Sequence, residues 1–443
     1  MNWKILTPLM PHQSQAFRAL SGASMGLFMF PGAGKSLVAL THARSSGCKR
    51  ILITADKTNA VSTWQEQILR HTTLPCFVRP TVGQLDHLPE ECAVLVNYDL
   101  LWRRQEEYSR IKWNMWIGDE SSEFKDQRTH KHKGLQHVVM YIPIKLILNG
   151  CPVTERLEDL WGQVRMLDNG ARLGETLTKF RWKYMVPHPS GYGWLPKANA
   201  LACVRRDIAD ISYWDMDRST VKLPEAHVYE VEVDMTPQQK TLDQQLKKEF
   251  HAELERAVID TKYAAVLYLK RYQLCGGTFR PSDLKGDALH LRTNKDDCLK
   301  KIMYDNQGAK FVIWHSFVPE TRWLQDILLT TDQPYICFDG PGSLDKFKYM
   351  KRGVFLIRTA FCRGINALCD ADIAIFWSNP LSYARRVQAE GRTRRIGSSQ
   401  SDTHYIDLVT KGGADSKVLA MLRRKQNFSL TISGLQTIGE EDK

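Results

Sequence analysis

Short apolar runs alternate with amphipathic, helix-like stretches in two parts of the chain. In the first part, five apolar runs predict buried strands, at residues 26–30, 50–55, 93–98, 115–118 and 145–149. In the second part, four further runs predict buried strands, at residues 310–316, 334–339, 354–360 and 371–378. Strands that are apolar on both faces and separated by helices are typical of parallel sheets covered on both sides. The sequence therefore predicts an α/β protein with two parallel-sheet lobes.

Between these two parts the alternation is lost. Prolines and glycines interrupt an aromatic segment around residues 187–196, and a long helical pattern then runs from Thr236 to Tyr272. Pro237 falls in the first turn of that pattern, where its missing N–H has no helical partner to lose. We therefore predict lobe 1 at residues 1–165, a mainly helical insertion and connecting region at 166–286, lobe 2 at 287–430 and a tail at 431–443.

Composition and charge narrow the class of protein. The 443 residues are 43% hydrophobic and 25% charged, which is typical of a globular protein, and we expect neither a membrane span nor a secretory signal. Lys and Arg total 61 against 49 Asp and Glu, giving a net charge of +12 that favours a polyanionic partner such as nucleic acid. The 10 cysteines lack the spacing of zinc sites and are interpreted as reduced, buried thiols.

A glycine-rich segment carries the first chemical signal. Residues 30–36 read FPGAGKS, directly after a predicted strand and before a predicted helix at residues 37–45. In this context Gly32 and Gly34 would let backbone N–H groups converge on phosphates, Lys35 would reach the β- and γ-phosphates, and Ser36 would hold Mg²⁺. The alternative is a strand-to-helix turn with a chance lysine.

Two adjacent acidic residues follow another predicted strand. Asp119 and Glu120 come directly after the apolar run at 115–118. In nucleotide hydrolysis, an acid at this place holds the Mg²⁺ shell and its neighbour can polarise the attacking water. The alternative is the N-cap of a helix, for which aspartate is also favoured.

Three residues in the second part could act on the same phosphates. Gln388, Arg392 and Arg395 are spaced by four and three positions, which predicts that they share one face of a helix. Guanidinium groups delivered from a second lobe can neutralise charge that develops on a γ-phosphate. The alternatives are a solvated basic helix and a helix that lies on nucleic-acid phosphates.

Taken together, these motifs resemble those of superfamily 2 helicase-type motors, specifically the Snf2 (SWI/SNF-like) DNA translocase family in its compact phage and bacterial form. The Gly-Ile-Asn step at residues 364–366 and the Arg-Ile-Gly ending at 395–397 favour Snf2 over other branches. The resembling segments are residues 9–13 (Q motif), 32–36 (motif I), 54–57 (motif Ia), 119–122 (motif II), 148–152 (motif III), 313–316 (motif IV), 359–367 (motif V) and 388–397 (motif VI).

The resemblance implies two tandem RecA-like lobes with ATP and Mg²⁺ bound between them. Asn149 and Cys151 stand where motif III of the family usually has two threonines. The implied roles are adenine recognition by Gln13, phosphate binding by Gly32, Gly34, Lys35 and Ser36, metal binding by Ser36 and Asp119, general base catalysis by Glu120, charge neutralisation by Gln388, Arg392 and Arg395, and DNA contacts by Lys57 and Thr359.

The implied function is an ATP-dependent motor that steps along double-stranded DNA, forked or branched DNA included, in the cytoplasm of a bacterium or a phage-infected cell. One alternative is a helicase that separates strands or migrates branches at forks and recombination intermediates. A second alternative is a catalytically weak nucleic-acid-binding clamp, for which the replacements at Asn149 and Cys151 leave room.

Overall fold

The computed structural model describes most of the chain. The described residues are 2–20, 24–56, 58–153, 156–189, 193–217, 221, 223–255, 261–279, 289–362, 365, 368–395, 398 and 400–433. They form two compact units, the first mainly from residues 1–222 and the second mainly from residues 223–424. Within the described residues, no helix is both long and apolar enough to cross a membrane.

The first unit alternates strands and helices. Its elements are α1 (Pro11–Ala19), β1 (Met25–Met29), α2 (Lys35–Ser45), β2 (Arg50–Ala55), α3 (Thr58–His71), β3 (Cys76–Val78), α4 (Val82–Asp86), β4 (Cys92–Asn97), α5 (Tyr98–Arg103), α6 (Gln105–Ser109), β5 (Met115–Asp119), α7 (His130–Val139), β6 (Ile144–Asn149), α8 (Glu158–Asp168), α9 (Leu177–Tyr184), β7 (Met185–Pro187), β8 (Trp194–Pro196), α10 (Ala200–Asp207) and β9 (Ser212–Asp215).

Seven of these strands form one sheet in the order β3-β4-β2-β5-β6-β1-β9, and every pair is parallel. The five predicted strands all form, and all five residues of β1 are buried because helices cover both faces of the sheet. The edge strands β3 and β9 were not predicted. Each is only three or four residues long and mostly half-buried, so neither shows a continuous apolar run.

The second unit repeats this architecture. Its elements, with the final helix, are β10 (Glu225–Val233), α11 (Pro237–Glu255), α12 (Thr261–Cys275), β11 (Thr278–Phe279), β12 (Leu289–His290), α13 (Asn294–Asp305), β13 (Lys310–His315), α14 (Val318–Leu328), β14 (Tyr335–Cys337), α15 (Pro341–Tyr349), β15 (Gly353–Arg358), β16 (Ile373–Phe376), α16 (Tyr383–Thr393), β17 (Asp402–Thr410) and α17 (Ala414–Ser433).

Six strands form the second sheet in the order β10-β17-β16-β13-β15-β14, again with every pair parallel. The four predicted strands of this part all form, which confirms two parallel-sheet α/β lobes. Hydrogen bonding also places β9 in the first sheet and β10 in the second, although both lie within residues 166–286, which were predicted to be an insertion and connecting region. The helical pattern at 236–272 corresponds to α11 and α12.

A buried ion pair joins α16 to the second sheet. The Arg386 guanidinium donates to both carboxylate oxygens of Asp407 on β17, and also to the Asn379 side-chain oxygen. The Arg386 Nε donates to the Glu390 carboxylate at 2.7 Å, and the central carbon of the guanidinium lies 3.6 Å from the centre of the Phe376 ring. Each of the two paired groups is at least nine-tenths buried, so removing either would leave an uncompensated charge in the core.

We expect Asp407→Ala to lower the free energy of unfolding of the second unit by about 3–5 kcal/mol, because Arg386 would lose its buried carboxylate partner. Urea unfolding followed by tryptophan fluorescence measures this change. The control is Glu175→Ala, which removes the exposed pair with Lys179 and should leave the unfolding midpoint within experimental error. Equal midpoints for the two variants would contradict the structural role of the buried pair.

Candidate active site

The turn between β1 and α2 has the geometry of a phosphate cradle. Gly32 and Gly34 have φ angles of 90° and 80°, a left-handed conformation that favours glycine, and Gly34 is the N-cap of α2. The N-terminus of a helix carries a partial positive charge, so this end of α2 favours an anion. Lys35 folds over the turn, with its Nζ donating to the carbonyls of Met29 at 3.0 Å and Phe30 at 3.3 Å. These carbonyls hold the ammonium group at the cradle.

Gln13 on α1 lies directly against this turn. It is only 5% exposed, its Nε2 donates to the Ala33 carbonyl at 3.1 Å, and its Oε1 accepts from the Met10 N–H at 3.0 Å. A Cβ at position 34 would lie 2.1 Å from Gln13 Nε2, so a larger residue there would displace the Gln13 amide from its position. The structure therefore couples Gln13 to the conformation of the phosphate cradle, while adenine recognition by Gln13 stays a prediction.

The acidic pair ends β5, which belongs to the same parallel sheet as β1. The carboxyl ends of parallel strands share one edge of a sheet, so Asp119 and the cradle lie at the same edge. Asp119 is held from three sides: Trp64 Nε1 donates to its Oδ2 at 2.8 Å, the Glu120 N–H to its Oδ1 at 3.0 Å, and the Tyr98 hydroxyl to its carbonyl at 2.6 Å. A carboxylate and the Ser36 hydroxyl are hard oxygen ligands of the kind that Mg²⁺ prefers.

Glu120 has an unusual backbone. Its φ and ψ angles of 51° and 59° place it in the left-handed region, which for a residue other than glycine costs about 1–3 kcal/mol. It caps a short 3-10 helix, Ser121–Phe124, so the chain turns sharply where β5 ends. Strain of this kind concentrates at functional sites.

A buried polar network links the segments after β5 and β6. Asn149 Nδ2 donates to Ser121 Oγ at 3.0 Å and to Gln163 Oε1 at 3.1 Å, and the Ser121 hydroxyl donates to Gln163 Oε1 at 2.5 Å. All three side chains are at most 1% exposed. The Asn149 Oδ1 also accepts from the Cys151 N–H at 2.8 Å. The asparagine that replaces a usual motif III threonine thus joins motif II to motif III and to α8.

Gln163 was not among the site residues predicted from the sequence. Its amide nitrogen donates to the carbonyls of Pro152 and Asp159, each at 2.6 Å, which completes the network. The available signal was a glutamine among mostly apolar residues of a buried helix, since Leu160 and Val164 are buried next to it on α8.

In the second unit, the three predicted residues do not share one helix. Gln388 and Arg392 lie on α16, but that helix ends at Thr393 and Arg395 lies beyond it, so the prediction of a common helical face is wrong for Arg395. The helix ends because Arg394 adopts an extended backbone, with φ −106° and ψ 97°, and its Nε donates to the Pro224 carbonyl at 2.6 Å.

Arg392 and Arg395 nevertheless remain electrostatically coupled. Burial, followed by the neighbouring Arg392 charge, lowers the pKa of Arg395 to about 10. Arg392 Nε is fixed by the Cys362 carbonyl at 2.7 Å, and Gln388 is buried beside the same cysteine, with its Oε1 3.7 Å from the Cys362 Sγ. Two guanidinium groups that disfavour each other's charge would both be stabilised by a phosphate.

Of the two residues predicted to contact DNA, the structure describes Thr359 but not Lys57. Thr359 begins a short 3-10 helix after β15, is only 2% exposed, and its hydroxyl lies 3.3 Å from Ser316 Oγ. This side chain therefore joins the segments after β13 and β15. Lys57 lies outside the described residues. DNA contact by either residue stays a prediction.

A buried carboxyl group that was not predicted organises the segment after β13. Glu320 Oε2 accepts from the Ser378 hydroxyl at 2.6 Å, the Phe317 N–H at 2.9 Å and the Ser316 N–H at 3.1 Å. Burial raises the pKa of Glu320 to about 7. The group thus fixes the ends of β13 and β16 relative to each other.

Comparisons with known proteins find relatives that match most of this chain. Protein p41 of Acyrthosiphon pisum secondary endosymbiont phage 1 is 24% identical over 429 residues, covering 89% of this chain and 91% of its own length. YwqA of Bacillus subtilis (strain 168), whose name describes an ATP-dependent helicase/translocase, is 23% identical over 475 residues; the match covers 97% of this chain but only 47% of YwqA.

Among solved structures, the Sulfolobus solfataricus SWI2/SNF2 ATPase core in complex with double-stranded DNA matches 99% of this chain and 96% of its own, with 20% identity and a TM-score of 0.45. The SNF2-related domain family matches residues 30–272, which is more than half of the chain and includes the phosphate cradle, the acidic pair and the polar network. The chain therefore belongs to the SNF2-related domain family, whose members are helicase-type ATPases.

Proposed function

We propose that this protein is an ATP-dependent motor that moves along double-stranded DNA. The observation that carries the proposal is the phosphate cradle between β1 and α2 at the same sheet edge as Asp119 and Glu120. A cradle for phosphates beside a pair of carboxylates suits hydrolysis of a nucleoside triphosphate.

In this proposal the first unit binds and cleaves the nucleotide. The α2 N-terminus and Lys35 hold the phosphates, and Lys35 exchanges its carbonyl partners for phosphate oxygens. Mg²⁺, held by Ser36 and Asp119, would neutralise phosphate charge. Trp64 and Tyr98 keep Asp119 in place, and Glu120 accepts a proton from the attacking water.

The second unit supplies positive charge to the same reaction. The lowered pKa of Arg395 and its coupling to Arg392 support a role in binding a phosphate group. Charge of this kind stabilises a transition state in which negative charge spreads over the transferred phosphoryl oxygens. The Cys362 carbonyl holds Arg392 in place, and Gln388 lies against the thiol of the same cysteine.

The polar network offers a route by which nucleotide state reaches the rest of the first unit. Ser121 directly follows Glu120, and Asn149 and Gln163 join it to the segment after β6 and to α8. All three groups are buried and bonded to one another. A shift of Glu120 that moved Ser121 would therefore also move Asn149 and Gln163, or break their hydrogen bonds. We assign this network the role of linking the hydrolysis site to DNA grip.

DNA is the polyanion that fits the net charge of +12. Contacts that go mainly to phosphates would give affinity that falls with salt and depends little on base sequence. Lys57 and Thr359 remain the proposed contacts among the motif residues.

We expect the wild-type protein to displace a third strand from a DNA triplex in an ATP-dependent manner, without separating the strands of a labelled fork. Glu120→Gln should bind ATP and DNA normally but lose displacement and hydrolysis by about 10²-fold or more, because the attacking water loses its proton acceptor. Gel separation of labelled strands measures both activities. Release of a fork strand would favour the helicase alternative, and absence of hydrolysis in the wild type would favour the clamp.

Lys35→Ala should lower ATP affinity and reduce hydrolysis by about 10²-fold or more, since the bound phosphates lose their fixed countercharge. Nucleotide titration and phosphate release measure the two effects. Lys49→Ala removes an exposed lysine paired with Glu90 and serves as the control. Wild-type turnover by Lys35→Ala would show that the phosphate-loop assignment is wrong.

Arg395→Ala should still bind ATP but hydrolyse it about 10³-fold more slowly, because the proposed charge neutralisation acts in the transition state. Arg395→Lys should restore little activity, since an ammonium group cannot reproduce the planar guanidinium fork. Arg352→Ala, at an exposed arginine of the second unit, is the control. Loss of DNA affinity with intact DNA-free turnover would instead make Arg395 a DNA-binding residue.

A further inference from the structure

Carboxylate and imidazole side chains lie close together at the β10 edge of the second sheet. The edge strand β10 pairs in parallel with β17, with Glu225 opposite Asp402 and His227 opposite His404. Side chains two positions apart on a strand point to the same face, and direct partners on adjacent strands share that face. Each strand therefore contributes one carboxylate and one imidazole to a single patch.

The donor atoms of three of these residues are already close together. One ligand atom each from Glu225, His227 and Asp402 lies within 4.8 Å of the others, and His227 Nε2 is 3.5 Å from Asp402 Oδ1. Ligand atoms bound to one zinc-sized ion at about 2.0–2.2 Å stand about 3–3.5 Å apart. Small side-chain rotations would thus bring all three donors onto one ion.

The surroundings favour ligation. The Ser401 hydroxyl donates to Asp402 Oδ2 at 2.7 Å, which orients this carboxylate. The ring of His227 stacks on that of His404 with centres 5.1 Å apart and planes 22° apart, and His404 stacks in turn on Tyr229. This column of rings orients the His227 imidazole, as neighbouring groups commonly orient histidine ligands.

We propose that Glu225, His227 and Asp402 bind one divalent first-row transition metal ion, manganese or zinc, with water in the remaining positions. Two carboxylates and an imidazole supply the charge and the donor types that these ions accept. The ion would cross-link β10, the first strand of the second unit, to β17. Because β10 pairs only with β17 among the described strands, such a cross-link would stabilise an otherwise one-sided edge strand.

The test is metal titration of the full-length, EDTA-treated protein without nucleotide. Manganese is the first probe because the ten cysteines would also bind zinc, and free Mn²⁺ is counted directly by electron paramagnetic resonance. We expect one Mn²⁺ per chain with micromolar affinity, and at least a tenfold loss of affinity in Asp402→Asn, which keeps the side-chain shape. His137→Ala is the matched control, since His137 lies 3.4 Å from a single carboxylate, Glu106.

Thermal unfolding gives a second readout. Saturating Mn²⁺ should raise the unfolding midpoint of the wild type and of His137→Ala by about 5 °C, and that of Asp402→Asn by much less, with all three proteins folded by circular dichroism before heating. No binding by the wild type below about 1 mM Mn²⁺ or Zn²⁺ would show that the cluster is only a cross-strand ion pair. Equal binding by wild type and Asp402→Asn would also overturn the proposal.

Discussion

Parallel strands end at a common sheet edge, and the candidate chemistry of the first unit depends on this constraint. The phosphate cradle and the acidic pair are far apart in sequence, and each is a short segment that begins where a strand ends. Because β1 and β5 run in the same direction in one sheet, their carboxyl ends bring Lys35 and Asp119 to the same edge. The sheet thus supplies the rigid frame, and the turns supply the reactive groups.

Buried polar contacts then fix these turns. Asn149, Ser121 and Gln163 satisfy one another inside the first unit, and Glu320 does the same for the ends of β13 and β16 in the second. Such networks specify one arrangement strongly, because a half-satisfied buried group carries a large desolvation penalty. The replacement of a usual motif III threonine by Asn149 is therefore accommodated by a partner, Gln163, on a different helix. The departure from the family pattern keeps a physical link between motifs II and III.

The second unit combines the same frame with more buried charge. Arg386 is neutralised by Asp407 and Glu390, whereas Arg395 has a lowered pKa because burial and Arg392 both disfavour its charge. The contrast separates two roles for arginines that lie close in sequence. Arg386 is a structural group that holds α16 on the sheet, and Arg395 is suited to meet an anion. The partly exposed face of β10 and β17 carries a different donor set, which is suited to a metal ion.

The sequence by itself determined nine of the strands in the two sheets and the glycine-rich turn after β1. Burial on both faces of a central strand demands a continuous apolar run, and left-handed backbone angles at Gly32 and Gly34 demand glycine, so both features are visible locally. The stretch at 228–233 is strand-like in sequence, but only the tertiary structure decided that β9 and β10 become edge strands of the two sheets, through pairing with β1 and β17. The tertiary structure also decided that Gln163 bonds to Asn149. It decided as well that α16 stops before Arg395, because Arg394 bonds to the distant Pro224 carbonyl. Contacts between residues far apart in the chain set these features, and spacing within one segment carries no information about them.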